Sequence, residues 1–229
     1  MEKQFTYRII YSRRRTISIG ISPGKGVVVR APFRASRSSI ENFVRLKSGW
    51  IMKHLGEQES RISLHVKEFR EGDQFLLHGK NYIIRIIPGK NRGVSVENDV
   101  ISIACRDASD PAEPVKIIEN WLQWYSKEYL TARTFHLAEI NSIHSLNPSH
   151  VKVRKMKSRW GSCSTKGSIS LNQHLVRLDT RLSDYVILHE LCHLRHHNHG
   201  ALYYKLLQTV CPYWKDARAA MRTYTGRQD

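Results

Sequence analysis

The chain has 229 residues, of which 41% are hydrophobic, and this is enough apolar material for a globular core. No run approaches eighteen apolar residues, and the first fifteen residues lack the apolar stretch of a signal peptide, so we expect a soluble, cytoplasmic protein without a membrane segment. The formal net charge of +17 favours polyanionic partners such as nucleic acid or nucleotides, or else a solvated basic surface.

The N-terminal region is predicted to be β-rich with one helix. Isoleucines alternate with small residues in ISIGI, and the turn SPGKG and the run VVVR follow, which predicts a hairpin. The stretch SSIENFVRLKSGWIMKHL has helical spacing, and Ser38 stands three residues before Glu41 as in a capping box. Between 69 and 105, short apolar runs separated by HGKN, PGKNRG and END predict a small antiparallel meander.

A domain boundary is predicted near residue 108. The polar and proline-containing run RDASDPAEP has the composition of a linker, so we divide the chain into regions 1–108 and 109–229. The second region begins with a long amphipathic helix that ends at HLAEI and continues with strands from Val151 through SRWGSCSTKGSISLN. An apolar helix from Ser183 to about His197 and a helical segment around WKDARAAM complete it. This order of elements indicates an α+β fold with its chemistry on the apolar helix.

The run HELCH on that helix has the spacing of a metal-binding motif. Residues four apart lie on one face of a helix about 6 Å apart along the axis, so His189 and His193 can point two imidazoles at one ion. Glu190 is offset by about 100° and lies beside the ion, where it can accept a proton from water. Burying such polar groups in VILHELCHL would be costly without a function for them.

A catalytic zinc site needs a third protein ligand. No glutamate follows Glu190 in the chain, so the third ligand is expected to be a histidine. Our order of preference is His199, then His197, then His196, because the last two would lie about 10 to 12 Å along a continuing helix from the first ligand. His199 lies between Asn198 and Gly200, two residue types that can reverse the chain by adopting left-handed backbone.

The residues of the second region resemble a known family. The runs SRWGSCSTKGSISLNQHLVRL, YVILHELCHL and NHGALYY are similar to the YgjP-like family of predicted zinc metallopeptidases, relatives of the SprT-like proteases. This resemblance implies a zincin-like fold in the C-terminal domain. It also implies one zinc ion per chain held by His189, His193 and His199, with Glu190 as general base. The chain departs from the family pattern at Gly200, Tyr203 and Tyr204, where serine, phenylalanine and tryptophan are usual.

The function expected from these residues is hydrolysis of peptide bonds by a zinc-activated water, with Glu190 taking up the proton. Possible substrate or oxyanion contacts, chosen by proximity in sequence, are Arg159, His174, Tyr203 and Tyr204. The strand GSISLN is a candidate cleft edge to which an extended peptide adds as a further strand. Trp160 and Gly161 are expected to serve packing and a tight turn. All four cysteines are expected to be free thiols, since they form no CxxC pair.

Two alternatives use the basic residues around the motif. The first is a metal-dependent phosphohydrolase acting on nucleoside triphosphates, although the chain has no GxxxxGK[ST] loop. The second is a protease or binding protein associated with nucleic acid. The segment from 140 to 178 has no acidic residue and supplies the candidate polyanion contacts, which are Lys152, Arg154, Lys155 and Lys157.

Overall fold

The computed structural model describes residues 5–22, 26–59, 69–107, 109–156 and 158–224. The chain forms two compact units, Met1–Ile62 and Ser63–Asp229. In the described residues the architecture is a mixture of three β-sheets and six α-helices. None of the described helices combines the length and the apolar character that crossing a membrane would require.

The described residues of the first unit form one three-stranded sheet and two helices. The predicted hairpin is confirmed, because β2 (Ser18–Ser22) pairs antiparallel with β3 (Gly26–Pro32), while residues 23–25 of its turn lie outside the described residues. Strand β1 (Tyr7–Ser12) adds in parallel on the other side of β3. The core is formed by alternate residues of β3 and apolar residues of the helices, namely Val27, Val29, Ala31, Ile40, Val44 and Ile51.

The single helix predicted here was wrong in two details. Lys47 interrupts it, so that α1 (Arg37–Leu46) and α2 (Ser48–Glu59) are separate helices. The N-cap is Ser36 rather than Ser38, because Ser36 has extended backbone and its hydroxyl accepts a hydrogen bond from the Ser39 amide at 3.2 Å. A run of serines offers several possible caps, and the capping-box spacing to Glu41 selected the wrong one.

The second unit begins with a four-stranded sheet. Its strands are β4 (Gln74–Leu77), β5 (Lys80–Pro88), β6 (Gly93–Glu97) and β7 (Val100–Cys105), in the order β4-β5-β7-β6. The turns at HGKN and END are two-residue hairpin loops, His78–Gly79 and Asn98–Asp99, in which all four residues have positive φ angles. The predicted antiparallel meander was wrong, because β7 lies between β5 and β6 and runs parallel to β5.

The segment predicted to be a linker is held by hydrogen bonds. Helix α3 (Ala112–Ile140) begins inside it, and the buried Glu113 side chain accepts hydrogen bonds from the Asp107 amide at 2.8 Å and from Arg92 Nε at 2.5 Å. Apolar residues of the four-stranded sheet share one core with α3 and the motif helix, including Phe75, Ile84 and Ile101. The compact units therefore divide at 62/63, earlier than the predicted boundary at 108/109.

The remaining elements form the layer that carries the motif. Strands β8 (His150–Arg154), β9 (Gly161–Cys163) and β10 (Ser168–Asn172) make a sheet in the order β8-β10-β9. Three helices follow, α4 (Thr180–Cys192), α5 (Ala201–Val210) and α6 (Trp214–Ala220), and α5 was not predicted. The predicted role of GSISLN as a cleft edge was wrong, because β10 is the central strand and both of its edges are paired.

Candidate functional site

Helix α4 carries the HELCH motif and is buried on nearly all sides. The Asp179 side chain caps its N-terminus by accepting a hydrogen bond from the Arg181 amide at 2.8 Å. Apolar residues on several faces of the helix are buried, as in a helix that packs inside a domain. Its last turns therefore hold His189 and Glu190 in place against the core, and Glu190 is only 4% exposed.

The helix ends earlier than the sequence predicted. It stops at Cys192, whereas we expected it to continue to about His197, and a tight turn follows in which the His196 amide donates to the Cys192 carbonyl at 3.0 Å. His193 is thus the C-terminal cap. The chain then folds back, but neither Asn198 nor Gly200 adopts left-handed backbone, contrary to the expected cause of the reversal.

The reversal brings His199 beside the two histidines of the motif. One ring nitrogen from each of His189, His193 and His199 lies within 4.8 Å of the other two. The Nε2 atoms of His189 and His199 are 3.2 Å apart. His196 and His197 are not part of this group among the residues described, and His197 is exposed.

The group fits a tetrahedral metal ion. Two nitrogens that each lie about 2.0 to 2.1 Å from a tetrahedral zinc ion are about 3.3 Å apart, close to the observed 3.2 Å between the Nε2 atoms. The His193 Nδ1 atom is 3.0 Å from the His196 carbonyl, so that an Nδ1–H donating there leaves Nε2 as the electron-pair donor. Three neutral imidazoles are a donor set that suits zinc.

Burial also favours the neutral form of the first histidine. Desolvation, followed by the charges of His193, His199 and Arg218, lowers the pKa of His189 to about 3. Its Nδ1 atom is buried without a hydrogen-bond partner among the described residues. The imidazole is therefore unprotonated at neutral pH, as metal binding requires.

The ring of Tyr203 in α5 packs against all three histidine rings. Its ring lies 4.7 Å from the rings of His193 and His199 and 5.4 Å from that of His189, measured between centroids. The side chain is fully buried, and its hydroxyl donates to the His189 carbonyl at 3.1 Å. Tyr203 therefore supports the positions of the three histidine rings. Its hydroxyl is bound to a backbone carbonyl, so the predicted contact with a substrate or oxyanion does not fit its position.

Glu190 packs against the edge strand β9 at Gly161. A Cβ atom on Gly161 would lie 2.5 Å from Glu190 Oε1 and 2.7 Å from its Cγ, closer than packed atoms approach. The glycine is thus needed for close approach, whereas we expected it to serve a tight turn, and its φ angle is not positive. The carboxylate is in this way confined between α4 and β9.

A cavity of about 140 Å³ opens beside the histidine group. It is bounded by α4, by β9 with the preceding Trp160, and by residues of α5, α6 and the 3₁₀ turn Met221–Thr223. The sequence analysis did not single out the residues that α6 and this turn contribute, which are Trp214, Arg218, Met221 and Arg222. Their four-residue spacing predicts a shared helical face, but only the packing of α6 on α4 brings that face to the site.

Of the other three predicted contact residues, Tyr204 lines the cavity, whereas Arg159 and His174 do not. Tyr204 lines the cavity and its ring stacks on that of Trp214 at 5.1 Å. Among the described lining residues neither Arg159 nor His174 occurs, since Arg159 is exposed and His174 is buried in the 3₁₀ segment Gln173–Arg177. Cys163 is a free thiol whose pKa burial raises to about 11, with a further contribution from Glu190, which does not suit a nucleophile.

The predicted polyanion contacts lie away from the cavity. Lys152 and Arg154 are exposed on β8, and Lys155 forms an exposed ion pair with Glu119 at 2.8 Å. Lys157 lies outside the described residues. None of the described ones lines the cavity, so the structure does not join these charges to the histidine group.

Comparison with known proteins identifies the family. The profile of the YgjP-like metallopeptidase domain matches residues 15–224. The chain belongs to this YgjP-like family. Membership supports a metal-dependent peptidase that acts on peptide or protein substrates, and it gives no support to the nucleotide or nucleic-acid interpretations.

Two further comparisons do not strengthen the assignment to the YgjP-like family. The crystal structure of the metallopeptidase zymogen of Pyrococcus abyssi abylysin is similar, with 22% sequence identity and a TM-score of 0.37, over 41% of this chain and 92% of that chain. A search among curated protein sequences gives no match. The family assignment therefore rests on the sequence profile.

Proposed function

We propose that this YgjP-like protein is a zinc peptidase in which His189, His193 and His199 hold one zinc ion and Glu190 is the general base. The observation that carries the proposal is the convergence of the three imidazoles within 4.8 Å, next to a buried glutamate. The motif helix packed against the sheet β8-β10-β9 is the arrangement expected of a zincin-like domain, which we also propose for this unit.

The residues around the proposed zinc site would have distinct roles in catalysis. When bound, zinc would polarise the scissile carbonyl and acidify a water molecule. Glu190 would accept a proton at its carboxylate and donate it to the leaving amine, and its burial against Gly161 fixes the direction in which the carboxylate points. Tyr203 would keep the ligand rings oriented through ring contacts and its bond to the His189 carbonyl.

The outer edge of β9 is the proposed binding edge for an extended peptide. β9 is at the end of the sheet order and pairs with β10 on one side. A peptide that adds to the other side would run past Gly161 and hence past Glu190. This assigns to β9 the role that the sequence analysis gave to the central strand.

Metal analysis of three proteins tests the ligand set. We expect about one zinc per chain in the wild type and in His197→Ala, and loss of zinc in His199→Ala, because only His199 among these two lies in the group. His197 is a matched control from the same loop. Retention of zinc by His199→Ala, or its loss from the control alone, would contradict the proposed ligands.

The base is tested by Glu190→Gln. This variant should keep its zinc, since the side chain is not a proposed ligand, and lose about 10²- to 10⁴-fold in kcat on a quenched fluorescent peptide. Turnover close to that of the wild type would exclude Glu190 as the base while leaving the metal site intact.

A further inference from the structure

Two arginines line the part of the cavity that α6 and the 3₁₀ turn after it contribute. Arg218 lies in α6, and Arg222 follows four residues later in the 3₁₀ turn that continues the helix, so both project from one face. Arg218 is half-buried and Arg222 is exposed. Both arginines line the same cavity as the candidate ligands His189 and His199. The two guanidinium groups are thus near the proposed metal site.

The rest of the cavity wall suits a carboxylate bound by these arginines. Tyr204, Leu207 and Trp214 provide an apolar and aromatic surface, which strengthens ionic contacts by excluding water. Among the described lining residues there are two arginines and one acidic side chain, Glu190, so the lining carries a net positive charge. A guanidinium presents five donors in a planar fork that matches the two oxygens of a carboxylate.

The volume of the cavity fits one side chain. It measures about 140 Å³, which is close to the roughly 150 Å³ of an engineered protein cavity that holds one benzene molecule. It is well below the roughly 300 to 1,000 Å³ of pockets that enclose drug-sized ligands. A single residue next to the scissile bond is therefore the part of a substrate that this space accommodates.

We propose that the cavity is a specificity subsite for a carboxylate-bearing residue next to the scissile bond, bound by Arg218 and Arg222. The residue is either an aspartate or glutamate within the peptide or the C-terminal residue with its free carboxylate. This inference rests on the proposed peptidase function of the same site. It makes the enzyme selective for acidic peptides, in keeping with the chain's net charge of +17.

The first test compares matched peptides on the zinc-loaded wild type. Quenched peptides that differ only by Glu or Gln at each position beside the cleaved bond, all with amidated C-termini, measure the side-chain preference. A second pair differs only in a free or amidated C-terminus. We expect kcat/KM to be about tenfold to a hundredfold higher for the carboxylate member of one pair. The pair that shows this difference identifies whether the carboxylate is a side chain or the C-terminus. Equal values in both pairs would overturn the proposal.

Variants assign the preference to the two arginines. Arg218→Gln and Arg222→Gln should each reduce the ratio of kcat/KM for the carboxylate peptide to kcat/KM for its neutral counterpart by about tenfold. Lys205→Gln removes the same charge from an exposed position of α5 outside the lining and should change neither value. An equal loss on both peptides would show that the arginines serve the reaction rather than the recognition of a carboxylate.

A binding measurement separates this proposal from the peptidase function. The Glu190→Gln protein is titrated with a short peptide ending in the preferred carboxylate and with its uncharged counterpart, and the fluorescence of Trp160 and Trp214 in the cavity wall reports occupancy. Tighter binding of the carboxylate peptide, by about tenfold or more and lost in Arg222→Gln, supports the subsite even if no peptide is cleaved. Equal binding of both peptides overturns the subsite even if peptides are cleaved.

Discussion

Gly161 limits where the proposed base can lie. Any Cβ at this position would overlap the Glu190 carboxylate, at distances of 2.5 to 2.9 Å from three of its side-chain atoms. Neither partner can move far, because Glu190 is buried in α4 and Gly161 is paired within the sheet. A single methyl group therefore tests how closely catalysis depends on the position of the carboxylate.

We predict that Gly161→Ala lowers kcat by about 10²-fold while zinc content is unchanged, because a displacement of about 1 Å in a reacting group can have this effect. Gly93→Ala in β6 is the control, since a Cβ there meets no atom within 4 Å and the φ angle is ordinary. Peptide turnover and elemental analysis are measured on both proteins. Wild-type turnover in Gly161→Ala would mean that the position of Glu190 is not critical.

The site residues that the sequence revealed are those related by local geometry. His189, Glu190 and His193 follow from helical spacing alone, since one turn fixes their relative directions. The location of His199 depends on where α4 ends, and the sequence preferred it without giving the actual turn. Arg218 shows no sign of its role in the sequence, because it reaches the cavity only through the packing of α6 on α4.

At the scale of elements, an ion pair joins the motif helix to the long helix. Arg133 of α3 donates from Nε and from an Nη atom to the two carboxylate oxygens of Asp184 in α4, at 2.8 and 2.6 Å. The Asp184 side chain is 10% exposed and that of Arg133 is 29% exposed. The contact is therefore largely shielded from water, and removal of one partner leaves the other without its counterion.

We predict that Asp184→Asn lowers the free energy of unfolding by about 3 kcal/mol, because an arginine is left partly buried without its carboxylate. The control is Glu119→Gln, which breaks the ion pair between α3 and Lys155, where both side chains are 50% exposed. Its expected effect is below about 1 kcal/mol. Urea unfolding measures both, and equal effects would contradict the structural role of Asp184.

The elements themselves were predictable where they depend on neighbours in sequence. The hairpin of β2 and β3 and the length of α3 follow from turn residues and helical periodicity. The insertion of β7 between β5 and β6 could not be read from the sequence, because the apolar runs have the same pattern in either order. The end of α4 at Cys192 could not be predicted from the sequence either, since apolar residues and histidines continue past Cys192 without a helix-breaking residue.

At the scale of the whole molecule, buried histidines make stability depend on pH. Burial and neighbouring charges lower the pKa of His189 to about 3, and burial lowers the pKa of His78. In the unfolded chain both have an ordinary value near 6.5 and take up protons more readily. Their contribution to stability is therefore fully present above pH 6.5 and is lost as the pH falls from 6.5 through the lowered pKa of each histidine, which for His189 is about 3.

We predict that the metal-free protein loses stability below pH 6.5, by at most about 1.4 kcal/mol per pH unit for each such histidine. His189→Asn should reduce this slope, whereas His150→Asn, at an exposed position of β8, should not. Urea midpoints between pH 7.5 and 5 measure the effect. An unchanged slope in His189→Asn would show that this imidazole does not remain neutral in the folded state.

The second compact unit, Ser63–Asp229, is expected to fold as a whole. The four-stranded sheet shares its core with α3 and α4, and the buried Arg177 donates from Nε to the Leu76 carbonyl at 3.1 Å. We predict that fragment 63–229 unfolds cooperatively and binds zinc, and that fragment 109–229 shows no cooperative transition because it lacks β4 to β7. Calorimetry of both fragments tests this, and a cooperative transition of the 109–229 fragment would support the boundary at 108/109 that the linker composition indicated.

The bond between Arg177 and Leu76 also bears on the order of events during folding. The two residues are 101 positions apart, and the chain between them includes strands β5 to β10 and α3. Contacts over such separations form slowly, because a long loop must close before they contribute. The three histidines lie within eleven residues of one another, yet they are held by a core that this late closure completes. We therefore expect zinc capture during refolding to be slow, and its rate to report the last step of folding rather than a local encounter.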